Sequence, residues 1–77
     1  MEISVLFFGE LAEIAGTKTC TFQNIEDTLY LKEHLLKQYP KLTDRTYRMA
    51  VNKELVSEKQ LLYHGDEIAL LPAFAGG

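Results

Sequence analysis

The pattern of apolar and polar positions predicts five β-strands. Residues 3–8 form an apolar run of β-branched and aromatic side chains, which is typical of a central strand covered on both faces. Residues 18–23 alternate between apolar and polar and indicate a second strand. The remaining predicted strands are residues 47–51, a short return strand at 55–56 after a tight turn at Asn52-Lys53, and a last strand at 67–72.

Two segments have apolar residues at the spacing of an α-helix. The first lies between Gly9 and Gly16 and is one or two turns long. The second is the main helix, which starts after possible N-caps at residues 24–28 and cannot extend far past Pro40. The resulting order is strand, short helix, strand, main helix and three strands. It predicts an α+β fold with a mixed sheet and one main helix.

A single long helix covers only one face of such a sheet. Because side chains alternate along a strand, the uncovered face receives Leu6 and Phe8 from the first strand and Leu71 from the last, beside the tail residue Phe74. Exposed apolar residues gathered in this way usually mark a protein interface. We therefore expect these four residues to contact a partner, unless the loop at residues 43–46 folds over them.

Length and composition indicate one small domain spanning residues 1–77. A hydrophobic content of 47% and a charged content of 25% are ordinary for a globular protein. The net charge of −3 argues against nucleic-acid binding, although basic residues concentrate between Lys32 and Lys53. Neither a signal peptide nor a membrane span is readable, and the single Cys20 cannot form an internal disulfide. We expect a cytoplasmic protein in which Cys20 is a small buried hydrophobe.

The side chains offer no recognisable catalytic set. His34 and His64 stand alone, the first expected on the exposed side of the helix and the second in a turn. Glu10 and Glu13 share a helical face but are more simply explained as solvated acids. No metal-ligand spacing, phosphate-binding loop or nucleophile with a base is present. We expect no metal, no bound cofactor and no autonomous enzyme.

The sequence closes on Ala75, Gly76 and Gly77, directly after the predicted last strand. Glycines lack Cβ, so a Gly-Gly end can enter a channel that is too narrow for other residues. A frayed end is the alternative explanation. A terminal carboxylate is ionised at neutral pH and is a poor electrophile, so it needs activation. As an acyl-adenylate, the carbonyl of Gly77 would accept attack by a sulfur donor or an amine.

Three segments resemble the molybdopterin synthase sulfur-carrier (small) subunit family: VLFFGELAEIAG at residues 5–16, VNKELV at 51–56 and GDEIALLPAFAGG at 65–77. The resemblance runs nearly end to end and implies a ubiquitin-like β-grasp fold. It also implies that an E1-like activating enzyme uses ATP to adenylate Gly77, which is then converted to a thiocarboxylate. The tail would insert into the large synthase subunit, in a heterotetramer, and donate sulfur to precursor Z to form the molybdopterin dithiolene. Catalytic side chains would belong to the large subunit.

Two positions depart from the family pattern. Ala73 stands where family members commonly have a second proline, and His64 stands where they often have Asp. Other carriers of the same fold, for thiamine synthesis, tRNA thiolation or protein conjugation, depend on the same terminal chemistry. A non-catalytic ubiquitin-like interaction module is the alternative from a different class.

Overall fold

The computed structural model describes residues 1–73. Five strands and two α-helices follow the predicted order, and one 3₁₀ helix that was not predicted lies between α2 and β3. They are β1 Glu2–Phe7, α1 Glu10–Ala15, β2 Thr19–Gln23, α2 Thr28–Gln38, the 3₁₀ helix Pro40–Asp44, β3 Tyr47–Val51, β4 Glu54–Val56 and β5 Glu67–Pro72.

The strands form one mixed sheet in the order β2-β1-β5-β3-β4. β1 pairs parallel with β5, and the other three neighbouring pairs are antiparallel. The last strand therefore lies at the centre of the sheet, between β1 and β3. The predicted α+β fold with a mixed sheet is confirmed, and β1 is an interior strand, between β2 and β5.

The hydrophobic core lies between the sheet and α2. Ile3, Val5 and Phe7 alternate toward it from β1, while Leu31 and Leu35 face it from the helix. Each such side chain contributes about 1.5–3 kcal/mol when it is fully removed from water. Burial of this one row fixes the register of β1, because a slip by one residue would turn the row toward solvent.

Helix α2 begins and ends where its local chemistry requires. The Asp27 side chain caps the first turn by accepting a hydrogen bond from the Tyr30 backbone N–H at 2.8 Å. Pro40 has no N–H to continue the helical ladder, and the chain turns at Tyr39 into the 3₁₀ helix. This matches the predicted limits.

The second face of β1 is not covered by any element that the structure describes. Phe8 is 44% exposed and Leu6 is half-buried. The expectation that β1 is covered on both faces is therefore wrong, because the single helix packs on the other side.

The loop at residues 43–46 does not fold over the apolar residues of that face. Leu42, just before it, is buried in the core on the helix side. Thr43, Arg45 and Thr46 line a depression with Lys32 and Leu36 of α2. The alternative in which this loop shields Leu6 and Phe8 is wrong.

A polar clasp fixes the β3–β4 hairpin to the start of β5. Asn52 and Lys53 both have positive φ, 49° and 74°, as a two-residue turn between twisted strands requires. The Asn52 amide donates to the Asp66 carboxylate at 2.9 Å, and its side-chain oxygen accepts from the Glu67 N–H at 3.0 Å. The hairpin and the strand that leads to the tail are thus held together by side chains as well as by pairing.

Candidate functional site

The point where the chain leaves the sheet is built by the end of β5 and its two neighbours. Pro72 is the last residue of β5, opposite Tyr47 of β3. The next residue, Ala73, donates its backbone N–H to the carbonyl of Thr46 at 3.2 Å. The sheet therefore holds the chain as far as Ala73, at the end of its central strand.

Pro72 also ends the pairing between β5 and β1. The Phe8 N–H donates to the Leu70 carbonyl at 3.1 Å, so a parallel ladder would next take an N–H from position 72. Proline has none. The Phe8 carbonyl instead accepts from the Leu11 N–H at 3.1 Å and so opens the first turn of α1. One proline thus marks both the end of the ladder and the base of the tail.

Gly9 packs directly against this base. Its backbone has φ 56° and ψ −135°, a region that is open almost only to glycine. A Cβ at this position would lie 2.9 Å from Cγ of Pro72, closer than real Cβ contacts. Glycine at position 9 is therefore required both by its dihedral angles and by the approach of the proline ring.

The face of the sheet opposite α2 is apolar beside the tail base. We call it the open sheet face and define it by Leu6, Phe8, Leu55, Ala69 and Leu71. The register places Leu6 opposite Ala69, Ala69 opposite Ala50, and Ala50 opposite Leu55. A row of apolar side chains therefore crosses four strands, and its two central members are alanines that leave the surface flat.

The structure brings together three of the four predicted interface residues. Leu6, Phe8 and Leu71 lie on the open sheet face, with Phe8 the most exposed of them. The fourth, Phe74, lies outside the described residues, as do the predicted tail residues Ala75, Gly76 and Gly77.

Leu55 belongs to this face and was missed from the sequence. It is 57% exposed on the short strand β4. The signal was present in the two-residue turn at Asn52-Lys53, which fixes Leu55 opposite Ala50. The pairing of β3 with β5, which joins Leu55 to the row that contains Leu6, could not be predicted from the sequence.

A shallow apolar depression of about 460 Å³ opens beside the tail base. Leu6, Phe8, Gly9, Ala12 and Lys18 line it. Its position joins the open sheet face to α1, and its lining suits an apolar side chain of a partner.

The histidines do not form a catalytic pair. His64 is exposed in a turn, as predicted, and its Nδ1 accepts the Glu2 backbone N–H at 2.9 Å. An Asp at position 64 would supply a similar acceptor. His34 is half-buried beside the rings of Phe22 and Tyr30, so it is less exposed than predicted. No group of three potential metal ligands occurs among residues 1–73.

Cys20 is half-buried at the margin of the core rather than fully buried. Desolvation by burial raises the pKa of its thiol, and a hydrogen bond with Tyr39 opposes that rise. A raised pKa leaves less of the reactive thiolate at neutral pH. A raised pKa is expected of a thiol that packs at the margin of the core.

Within the described part of the chain, no helix is both long enough and apolar enough to span a membrane.

The solved structures that resemble this chain fix its class. The solution structure of small archaeal modifier protein 1 from Methanosarcina acetivorans superposes with a TM-score of 0.83 and 24% identity, covering 99% of this chain and 96% of that one. The complex of subunits 1 and 2 of molybdopterin-converting factor from Helicobacter pylori matches with a TM-score of 0.75 and 26% identity over 100% of both chains. With its sheet order and single main helix, the protein is a ubiquitin-like β-grasp domain.

The family follows from the sequence matches. The family model described as the ThiS family matches residues 5–77, and the chain belongs to this family. The molybdopterin synthase sulfur carrier subunit of Mycobacterium tuberculosis is 34% identical over 82 residues, covering 100% of this chain and 99% of the relative. The resemblance found in the sequence is thereby confirmed.

Proposed function

We propose that this protein is the sulfur carrier subunit of a molybdopterin synthase. The observation that carries the proposal is that the end of β5 is fixed in position next to an exposed apolar face of the sheet. Pro72 contacts Gly9 and Ala73 is hydrogen-bonded to Thr46, so the last described residues are fixed beside the open sheet face. The sulfur carrier relative that matches the whole chain supports the same role.

The proposed chemistry takes place on the carboxylate of Gly77. In an E1-like activating enzyme, a carboxylate oxygen attacks the α-phosphorus of ATP and pyrophosphate leaves. A hydrosulfide equivalent then attacks the carbonyl carbon of the acyl-adenylate, AMP leaves, and a thiocarboxylate remains. Activation is required because a carboxylate has no leaving group that sulfide can displace.

The open sheet face serves as the contact surface for the large synthase subunit in this proposal. Phe8, Leu55 and Leu71 present apolar area that a partner can remove from water. Ordering a tail costs about 1–2 kcal/mol per residue in backbone entropy. An apolar body contact offsets that cost while Ala75, Gly76 and Gly77 enter the large subunit. The large subunit supplies the catalytic side chains, and the assembly is a heterotetramer.

The decisive experiment is reconstitution in two stages. The protein is incubated with its activating enzyme, ATP and sulfide, and its intact mass is measured. We expect an increase equal to the replacement of one oxygen by sulfur, lost when ATP is omitted. The product is then mixed with the large subunit and precursor Z, and molybdopterin is measured. A chain that gains sulfur but yields no molybdopterin would point to another carrier role, such as thiamine synthesis or tRNA thiolation. A chain that gains none would point to an interaction module.

A further inference from the structure

A second surface lies on the opposite side of the molecule, on the helix face of the sheet. Helix α2 does not cover the β3–β4 side of this face, and an open depression of about 420 Å³ remains there. An adjoining depression of about 380 Å³ runs toward the 3₁₀ helix. Lys32 of α2 and Tyr47 of β3 line both depressions, which we treat together as the β3 groove.

The β3 groove is basic although the chain as a whole has a net charge of −3. Its charged lining side chains are Lys32, Arg45, Lys59 and Glu58. Arg48 also borders the groove on β3, but its position opposite Leu71 places its side chain on the open sheet face. Among residues 1–73 the one ion pair joins Lys59 to Asp27 at 3.9 Å. Of the groove cations, Lys32 and Arg45 thus have no acidic partner within this part of the chain. Two residues of the basic segment between Lys32 and Lys53 thus meet in this groove with their side chains unpaired among the described residues.

Apolar side chains lie among these charges. Leu29 is 55% exposed on the helix side, and Met49 and Val56 are half-buried on the sheet side. The Tyr47 hydroxyl is buried and has no hydrogen-bond partner among the described residues. Burial raises the pKa of this hydroxyl, and its oxygen is not accessible to a ligand in the groove. The groove therefore combines cations with apolar contact area.

We infer that the β3 groove binds an acidic peptide segment of a partner protein, whose carboxylates pair with Lys32 and Arg45 while apolar side chains contact Leu29, Met49 and Val56. Charge complementarity selects the acidic partner. The apolar lining favours a peptide over a small anion, which has no use for Leu29 or Met49. The overall negative charge disfavours nucleic acid.

The β3 groove and the open sheet face lie on opposite faces of the sheet. A partner can therefore occupy the groove while the open sheet face is engaged. This second binding site goes beyond the proposed sulfur-carrier role and does not depend on it, because it needs neither the tail nor its activation.

The test uses the isolated full chain and two synthetic peptides of about ten residues, long enough to span both depressions when extended. One peptide alternates Glu with Leu, and the other alternates Lys with Leu. Amide chemical shifts of isotope-labelled protein are followed during titration. We expect the acidic peptide to shift the amides of Leu29, Met49 and Ser57, with little change at Phe8 and Leu55. The basic peptide is expected to leave the groove amides unchanged.

Charge-reversal variants locate the site. Lys32→Glu combined with Arg45→Glu is expected to weaken binding of the acidic peptide by at least about tenfold. The matched control is Lys37→Glu, which makes the same kind of charge change at an exposed position of α2 outside the groove, and it should retain most of the affinity. Arg48 is left unchanged because it follows Tyr47 on β3 and lies opposite Leu71 of the open sheet face.

Four results would overturn the inference. The first is that the basic peptide binds as tightly as the acidic one, and the second is that chemical shifts change only on the open sheet face. The third is that Lys37→Glu lowers the affinity for the acidic peptide as much as the double variant does. The fourth is that inorganic phosphate alone produces the same chemical-shift changes at the groove amides. The last result would assign the groove to a small anion. Because no activating enzyme or large subunit is present, failure here is distinguishable from failure of the sulfur-carrier proposal.

Discussion

Gly9 and Pro72 meet so closely at the base of the tail that a Cβ on Gly9 would lie 2.9 Å from the proline ring. The contact joins the end of β1 to the end of β5. It therefore ties the start of the short helix α1 to the point where the chain leaves the sheet.

Replacing Gly9 with Ala should destabilise the domain by about 1–3 kcal/mol, because the new methyl group meets the ring and the backbone has positive φ. Thermal unfolding with circular dichroism measures the effect. Gly16→Ala is the matched control, since Gly16 also has positive φ, 74°, but nothing lies within 4 Å of its Cβ position. Equal losses in the two variants would show that neither the contact with Pro72 nor the ψ of −135° at Gly9 adds to the cost of a positive φ.

Replacing Phe8 with Asp should weaken binding to the large subunit by about 2 kcal/mol or more, as expected for a central aromatic anchor. The fold should survive because Phe8 is 44% exposed. Calorimetry of the complex and a melting curve of the free chain measure both effects. Tyr63→Asp is the control, because Tyr63 is 64% exposed and lies outside the open sheet face. Unchanged affinity in Phe8→Asp would remove Phe8 from the interface.

Deleting Gly77 should abolish sulfur transfer and leave the stability of the domain within about 0.5 kcal/mol of the parent. The described core is built from residues between Ile3 and Leu70, so the deletion removes none of it. Intact mass after the activation reaction and thermal unfolding are the two measurements. A deletion variant that still acquires sulfur would contradict the assignment of Gly77.

Cys20 should react slowly with iodoacetamide in the folded protein. Its pKa is raised by desolvation, so the thiolate fraction at neutral pH is lower than in a free cysteine and rises only at higher pH. The rate is followed by mass spectrometry across a pH series, with the urea-unfolded chain as reference. Tyr39→Phe removes the hydrogen bond that lowers this pKa and should shift the profile to higher pH. A profile that matches the unfolded chain would contradict the effect of burial.

The elements of this fold could be predicted from local sequence because each has a local cause. The turn at Asn52-Lys53 and the proline after Tyr39 give the hairpin and the end of α2 without knowledge of the rest. The open sheet face followed from alternation and from the presence of one long helix. These inferences need only the alternation of side chains along a strand and the number of helices available to cover the sheet.

The remaining features depend on contacts between distant segments. The approach of Gly9 to Pro72 and the inclusion of Leu55 in the open sheet face need the position of β5 between β1 and β3. The partial burial of His34 likewise needs the edge strand that brings Phe22 beside α2. The apolar run at residues 3–8 predicted a strand covered on both faces, but one face is open. An apolar run has the same appearance in sequence whether its second face is exposed or buried under another element.

The central position of β5 has a consequence for how the protein is made. Without residues 67–72 the sheet falls into two separate two-stranded ribbons, β1 with β2 and β3 with β4, and such ribbons are marginally stable on their own. During synthesis, the body can close only after the strand next to the tail has left the ribosome. A prematurely terminated chain that lacks this strand therefore cannot assemble a docking surface with which to compete for the partner.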